Sequence, residues 1–383
     1  MTAQRIPFFR PTIEEDDIEA VAATLRSGWL TTADNARALE AELAEHCGVG
    51  YVNVVNSATA ALHLALAAWD IGVGDEVITT PYTFVATANV VLHTGAEVVF
   101  ADVRERDFNI DPAAIEAAIT PRTKAIIPVH FAGEPCAMDE IMAIARRHGL
   151  KVLEDAAHAI GALYRGRPIG GISDATAFSF YATKNMTTGE GGALATDDAA
   201  LSERVRRLTL HGMTKDAWKR YDAGGSWRYD IAEIGFKDNL TDTAAALGRS
   251  QLRKLAALRE GRNAAVERYF ANLSDEERLI LPTVDEENRS AWHLFVVRVR
   301  EGAAASRDEV IGRLAERGIG ASVHFIPVHT FTAYQKLGRW QPGDFPVAER
   351  LFAGAISLPL FPSMTMAEVD EVCEALRAAL RRA

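Results

Sequence analysis

Cysteine is scarce. Only Cys47, Cys136 and Cys373 occur in 383 residues, far apart and odd in number. That excludes a disulfide framework and leaves no CxxC metal pair, so a reducing, cytoplasmic setting is expected. Long apolar runs are missing as well. No stretch of about 20 uncharged apolar residues exists, so no membrane-spanning helix and no membrane partner are expected. The opening MTAQRIPFFRP has no apolar core of the kind a secretory signal needs. Positive charge is in deficit: 41 Lys and Arg face 52 Asp and Glu, a formal charge of −11. Nucleic acid needs a basic surface to neutralise its phosphates, so no such partner is expected. The pairs Arg146-Arg147, Arg206-Arg207 and Arg381-Arg382 read as solvated charge on helix faces. The fingerprints G-x-G-x-x-G, GK[ST], G-x-S-x-G and HExxH are all absent, which removes the usual nicotinamide, P-loop, serine-hydrolase and zinc-protease signatures. His324 and His329 are five apart with Pro327 between them, and no metal site is expected.

What remains is an ordinary globular composition, 48% hydrophobic and 24% charged, long enough for two or three structural units. Segments 13–27, 34–47 and 57–70 carry helical periodicity, the third more apolar and opened by the capping residues Asn56 and Ser57. Short β-rich runs then alternate with helices. The strands are expected at 76–80, 97–101, 125–129, 151–154, 175–180 and 193–196, and the helices at 84–92, 113–119, 136–148 and 199–210. Such alternation predicts a mostly parallel sheet covered on both faces. Residues 211–238 are irregular. A long helix is expected from Thr241 to Leu258 and onward toward Asn272. Beyond about 278 the texture changes: an alternating strand at 292–300 and helices at 307–317 and 366–382 suggest a smaller α+β unit. The expected division is 1–250, a large α/β domain with an N-terminal helical segment, and 251–383, the smaller domain.

In an open parallel sheet, ligands bind where strands end. Polar residues follow four strand or helix boundaries. In KVLEDAAH, Glu154 and Asp155 close an apolar strand, with His158 three residues on. A carboxylate there either caps the next turn or pairs with a cation, which a protonated ring nitrogen would supply. In SFYATKNMTTGEGG, Lys184 follows an apolar strand. It is either a snorkelling surface lysine or, if desolvated, an amine of lowered pKa fit for Schiff-base chemistry. The glycines at 189, 191 and 192 permit close backbone approach. In NSATAA, small residues open a helix, which serves either as a simple cap or as a phosphate cradle. In TTPYTF, Phe84 either packs in the core or stacks on a planar ligand. Together these supply a cradle, a stacking ring, a carboxylate and a lysine, the set that pyridoxal phosphate requires.

The chain resembles sugar aminotransferases of the DegT/DnrJ type over nearly its whole length, through IPFFRPTI, SGWLTT, NSATAALHLAL, GVGDEVITTPYTFVATANVV, VHFAGEPCAMD, EDAAHAIGA, FSFYATKNMTTGEGGAL, GFKDNLTDTAAALG and SVHFIPVH. The resemblance implies an aspartate-aminotransferase-like α/β fold (fold type I), with a mostly parallel seven-stranded sheet in the large domain and a smaller C-terminal α+β domain. It implies pyridoxal 5′-phosphate as cofactor, alternating with pyridoxamine 5′-phosphate. Lys184 would be the catalytic Schiff-base lysine and proton shuttle, and Asp155 the partner of the ring nitrogen. Phe84 would stack on the ring and His158 lie beside it. Ala58, Thr59, Ala60 and Ser179 would line the phosphate cradle. Asn239 would reach the phosphate of a neighbouring subunit, which implies a homodimer with shared active sites. His324, Lys237 and His211 are candidate substrate contacts. Related dehydratases carry His in place of this lysine, so Lys184 favours transamination. L-glutamate is the expected donor, with ping-pong half-reactions. The acceptor is expected to be a nucleotide-linked keto sugar, and NLTD favours a dTDP- or UDP-4-keto-6-deoxyhexose over a 3-keto sugar or keto-cyclitol. Asp238, where an aromatic is frequent, and TFTAYQ, where many relatives have His-Pro-Tyr, depart from the family pattern. A cofactor-binding regulator without turnover is the reading from another class; the intact Lys184 and Asp155 argue against it. The basic group Lys215, Lys219 and Arg220 is either a diphosphate contact or a solvated loop.

Overall fold

The computed structural model describes residues 5–214, 229–283 and 285–381. The group Lys215, Lys219 and Arg220 lies outside them. Helices α1 (Glu15–Ser27) and α2 (Asp34–Cys47) lead into β1 (Tyr51–Val55) and α3 (Ala58–Ala68). Then follow β2 (Glu76–Thr79), α4 (Ala86–His93), β3 (Glu97–Phe100), α5 (Pro112–Ala118), β4 (Thr123–Ile127), α6 (Met138–His148) and β5 (Lys151–Asp155). A small hairpin, β6 (Leu163–Tyr164) and β7 (Arg167–Pro168), precedes β8 (Ala175–Ser179), β9 (Gly192–Thr196) and α7 (Ala199–Leu208).

Seven strands form one sheet in the order β1-β9-β8-β5-β4-β2-β3. The pairs β2/β3, β2/β4, β4/β5 and β5/β8 are parallel, and only β9 runs against both its neighbours. Strands β2, β8 and β9 are buried at every position, as apolar runs covered on both faces should be. Helix α3 shows the same logic. Its Ala and Leu residues surround the axis, so it is buried on nearly all sides, from Ala60 to Ala68. It packs on β8 and β9 and between α4 and α7. One apolar cluster occupies that face, and a second, with α2 and α6, covers the other.

Strand β1 departs from the expected set. Asn53 interrupts an otherwise apolar run and hides its alternation. In the fold it is buried, with its Oδ1 accepting from Ser202 Oγ at 2.9 Å. The strand expected at 292–300 also begins late. Ala291 and His293 donate their N–H groups to Gly133 and Ala132 of a neighbouring turn, so strand pairing starts only at Phe295.

Helix α8 (Asp242–Leu273) is the spine of the molecule. Its first half packs on α1 and α2, its second on α12 (Met366–Ala379), so the division expected at residue 250 falls inside one continuous helix. Lys254 on α8 bonds Glu14, Asp16 and Asp17 of the N-terminal segment. The remaining elements are β10 (Leu279–Ile280), β11 (Phe295–Val299), α9 (Arg307–Glu316), α10 (Thr332–Gln335), α11 (Pro346–Gly354) and β12 (Ala355–Leu358). Strands β10-β11-β12 make a small antiparallel sheet over a third apolar cluster. Ile6 belongs to that cluster, because its backbone pairs with Gly318 and Gly320. No helix among the described residues is long and apolar enough to cross a membrane.

A half-buried carboxyl gives one stability prediction. Glu134 accepts from Asn288 Nδ2 at 3.2 Å, yet burial, reinforced by Asp107 and Asp285, pushes its pKa up to about 7. A carboxyl raised in the fold is harmless while protonated and destabilises as pH rises past its unfolded value and through 7. Glu134→Gln mimics the protonated form. It should stabilise the protein by about 1–2 kcal/mol at pH 8, after allowance for solvent screening, and little at pH 5. Thermal melts at the two pH values check this; equal shifts at both would reject it.

Candidate active site

A cavity of about 500 Å³ opens where β5, β8 and β9 meet the start of α3 and the C-terminal unit. Of the residues singled out by sequence, Ala58, Thr59, Phe84, Asp155, His158, Ser179, Lys184 and His324 line it.

Alternation along β5 sends its two terminal carboxylates to opposite faces. Glu154 points away from the cavity and is fully buried. It accepts from Ser173 at 2.7 Å and Thr176 at 2.9 Å. His130 completes the set. Its Nδ1 accepts from Cys136 N at 3.0 Å, so the proton sits on Nε2, which donates to Glu154 at 2.8 Å. Asp155 faces the cavity and is 6% exposed. Its Oδ2 accepts from Thr87 Oγ1 at 2.7 Å and its Oδ1 from the Ala157 N–H at 3.1 Å. The second bond is the turn cap that the sequence allowed; the first comes from α4. Burial pushes the Asp155 pKa up, and these bonds and the Lys184 charge oppose it.

Lys184 follows β8 on a turn whose Lys184 N–H donates to Tyr181 O at 2.9 Å. Desolvation lowers its pKa to about 8, against the opposing pull of Asp155. It is the sole Lys or Arg among the described residues lining the cavity.

Three histidines also line it. His158 is buried, stacks on Phe325 at 5.8 Å, and has no hydrogen-bond partner at Nδ1 among the described residues. Burial, then the charges of Lys184 and His324, drive its pKa well down. His324 bonds Ser357 Oγ through Nδ1 at 2.9 Å and stacks on Phe8 at 5.5 Å; burial and Lys184 bring it to about 4. His293 was not singled out from sequence. Asn185 Nδ2 donates to Ala291 O at 2.6 Å, which orients the amide so that its oxygen receives the His293 Nδ1 proton at 3.1 Å. His293 is therefore held neutral with an unprotonated Nε2.

The cradle is a close-packed junction. Ser57 caps α3 by accepting from Ala60 N at 3.1 Å, which removes Ala60 as a free donor and leaves the Ala58 and Thr59 N–H groups in the first turn, where the residues four back lie in strand β1 and offer no helical acceptor. Gly192 packs directly against them: a Cβ there would lie 2.5 Å from Ala58 N and 2.7 Å from Phe178 O. Phe84 is 61% exposed at the cavity mouth, opposite Phe325 at 6.2 Å.

Asn239, Lys237 and His211 lie elsewhere. Asn239 bridges to Val55, donates to Thr32 Oγ1 at 2.7 Å and contacts Lys237. It lines a separate cleft with Trp29 and Thr32. Leu210 pairs with Lys237, and His211 N–H donates to Phe236 O at 2.7 Å. None of these side chains enters the main cavity of its own chain.

The set fits an anionic, aldehyde-bearing heterocycle. There is a donor-rich cradle that tolerates no Cβ, a buried carboxylate with no side-chain cation bonded to it, an exposed ring and a desolvated lysine. Residues 11–377 match the DegT/DnrJ/EryC1/StrS aminotransferase family, and the chain belongs to it. It is 50% identical over 374 residues to the spore coat polysaccharide biosynthesis protein SpsC of Bacillus subtilis, covering 97% of this chain and 96% of that one. Its fold matches a putative sugar aminotransferase from Streptococcus pneumoniae in its PMP form, with a TM-score of 0.92, 36% identity, and 98% and 99% of the two chains covered. It also matches Helicobacter pylori PseC, an aminotransferase involved in the biosynthesis of pseudaminic acid, with a TM-score of 0.91, 32% identity, and 98% and 99% covered. The protein is a pyridoxal-phosphate-dependent sugar aminotransferase.

Sequence reasoning missed Thr87, His293 and Phe325. Each reaches the site by a contact across the fold, Thr87 from 68 residues before Asp155. The quoted segments TTPYTFVATANVV and SVHFIPVH contain two of them, so the signal was present without a role.

Gly192→Ala tests the cradle. Its new methyl must push strand from helix, an overpacking strain of about 1–3 kcal/mol. Cofactor affinity should fall roughly tenfold, read by absorbance titration of the cofactor-free protein. Undiminished affinity would detach Gly192 from the cradle.

Proposed function

We propose that this aminotransferase uses L-glutamate to aminate a nucleotide-linked 4-keto-6-deoxyhexose, as a homodimer with shared active sites in the cytoplasm. The carrying observation is the Lys184 amine, held near pKa 8 inside a cavity whose opposite wall is the Asp155 carboxylate. When bound, pyridoxal phosphate supplies an aldehyde that condenses with amines and a ring that accepts electron density. The chain does the rest. The Ala58 and Thr59 N–H groups and the Ser179 hydroxyl bind the phosphate. Asp155 holds a proton on the ring nitrogen, since a carboxylate desolvated this far favours a bonded proton partner. Phe84 covers one ring face, and His158 adjoins the ring. Lys184 Nζ, its pKa brought down toward neutrality by desolvation, gives and takes the proton that must move when an amine is exchanged.

Two observations support the dimer. Asn239 stands outside its own cavity, and the cleft it lines carries Trp29 and Leu30, 51% and 48% exposed. A second copy would cover that apolar surface and bring Asn239 to the neighbouring cradle. Lys237 and His211, on the same strip, would then approach the neighbour's substrate beside His324. The preference for a 4-keto acceptor rests on the Asn239-Leu240-Thr241-Asp242 run.

The cofactor-loaded protein should lose its visible band on addition of L-glutamate and regain it with dTDP- or UDP-4-keto-6-deoxyglucose. Loss without recovery would move the acceptor to a 3-keto sugar or keto-cyclitol. A loaded protein unmoved by any amino donor would leave a regulator, and the assignment would fail. Lys184→Ala should fold with turnover down at least about 10³-fold, as expected for loss of a group acting in the chemical step. Mixing Asn239→Ala with Lys184→Ala chains should restore about a quarter of wild-type activity, because half the chains pair as mixed dimers with one intact site. No recovery despite verified subunit exchange would exclude shared sites.

A further inference from the structure

We propose that a second cavity, on the far side of Asn185 from the main one, binds a phosphate-type oxyanion. It encloses about 170 Å³ between α8, the end of α2 and the segment before β11, room for one tetrahedral anion. Arg259, Arg262 and Arg289 all line it, and no carboxylate does. Elsewhere on this surface arginines are paired with acids, as in Arg249 with Glu42 and Arg268 with Asp370. Among the described residues these three have no such partner. Arg262 is 2% exposed; its NH1 donates to Leu360 O at 3.0 Å, and its Nε is sealed from solvent with nothing to receive it. Arg259 Nε is likewise buried without an acceptor. Arg289 reaches only the Gly161 carbonyl, at 3.2 Å.

A guanidinium desolvated without an anion is costly; Arg262 is buried, Arg259 is half-buried, and exposed Arg289 adds a third cation at the rim. Burial takes Arg262 down to about 10, burial and the Arg259 charge lower Arg289, and desolvation with the same two cations lowers His46 at the rim. The planar, forked donors of arginine match tetrahedral oxyanions, and Arg259 and Arg289, lining the cavity with no acid partner among the described residues, supply the donors such an ion would take. The site is distinct from the cofactor cradle, which is built of backbone N–H groups at α3. Asn185 lines this cavity and its amide bonds His293, which lines the main one, so an occupied anion site would stiffen the residue next to Lys184.

The test uses the cofactor-loaded enzyme, in which the cradle is already filled. Inorganic phosphate is titrated at constant ionic strength against sodium chloride, with calorimetry and thermal melting as readouts. Saturable binding and a raised melting midpoint are expected for the wild type. Arg259→Gln/Arg289→Gln should weaken phosphate binding at least tenfold while leaving the visible spectrum of the bound cofactor unchanged. Arg289→Gln alone, at an exposed position, serves if the double variant is unstable, and should give a smaller loss in the same direction. A hexose 1-phosphate binding as well as phosphate would identify a phosphorylated metabolite as the source, and its failure the free ion. A wild type that responds to phosphate no more than to chloride, or variants that bind it undiminished, would overturn the proposal.

Discussion

A carboxylate taken out of water must be satisfied, and Asp155 is where that demand organises the molecule. The residue ends a strand in the middle of the seven-stranded sheet, with neighbours on both sides and helices above and below. Two donors reach it, from Thr87 and from Ala157, and both can be in place only if α4 lies across the strand end and the chain turns sharply after β5. Neither donor is a cation. Further compensation comes from the Lys184 charge, which also lowers the carboxyl's pKa. The same water-poor space that raises the carboxyl lowers the amine, so one packing arrangement prepares both partners.

The cradle depends on a second constraint, backbone proximity. Strand β9 is the reversed strand of the sheet, inserted between β1 and β8. Its first residue is Gly192, pressed on the first residue of α3. Reversal brings the 189–192 turn back to the end of the sheet where Lys184 sits, so the lysine and the helix N-terminus become neighbours although 126 positions separate Lys184 from Ala58. Side chains are excluded from the junction, and backbone N–H groups are what remains to meet an anion.

Much of this was legible from residue patterns. Helix α2 runs over the predicted 34–47, and α8 covers the predicted long helix to within a residue or two, because both carry strong periodicity and, for α8, a Thr241 cap. Strand ends rich in polar residues pointed to the cavity, and Asp155, Lys184, Ser179 and Phe84 converge there. The limits were of two kinds. Strand β1 was hidden by Asn53, a polar residue whose burial is explained only by Ser202, 149 positions away. Thr87, His293 and Phe325 reach the site through contacts with no local signature. Pairwise patterns along a chain carry periodicity, caps and turns; they do not carry which distant hydroxyl will face a carboxylate.

The histidines decide what the cavity can do with charge. His158, His293 and His324 are all held in the neutral form at neutral pH by desolvation. Among the described residues Lys184 is then the single cationic side chain on the lining, and the Asp155 charge acts on it. A phosphate dianion in the α3 cradle would therefore meet backbone dipoles and a hydroxyl, with no side-chain cation from the described lining beside it. Helix termini alone supply a fractional charge, about half a unit. The Lys237–Asn239 strip, held by Thr32 and the Val55 bridge, carries an amide and an ammonium and lines a separate cleft, not its own cavity. In the proposed homodimer the cradle would be completed by the second copy's Asn239 amide, a neutral donor that would hold the anion without adding to the charge that already depresses the histidines around Lys184.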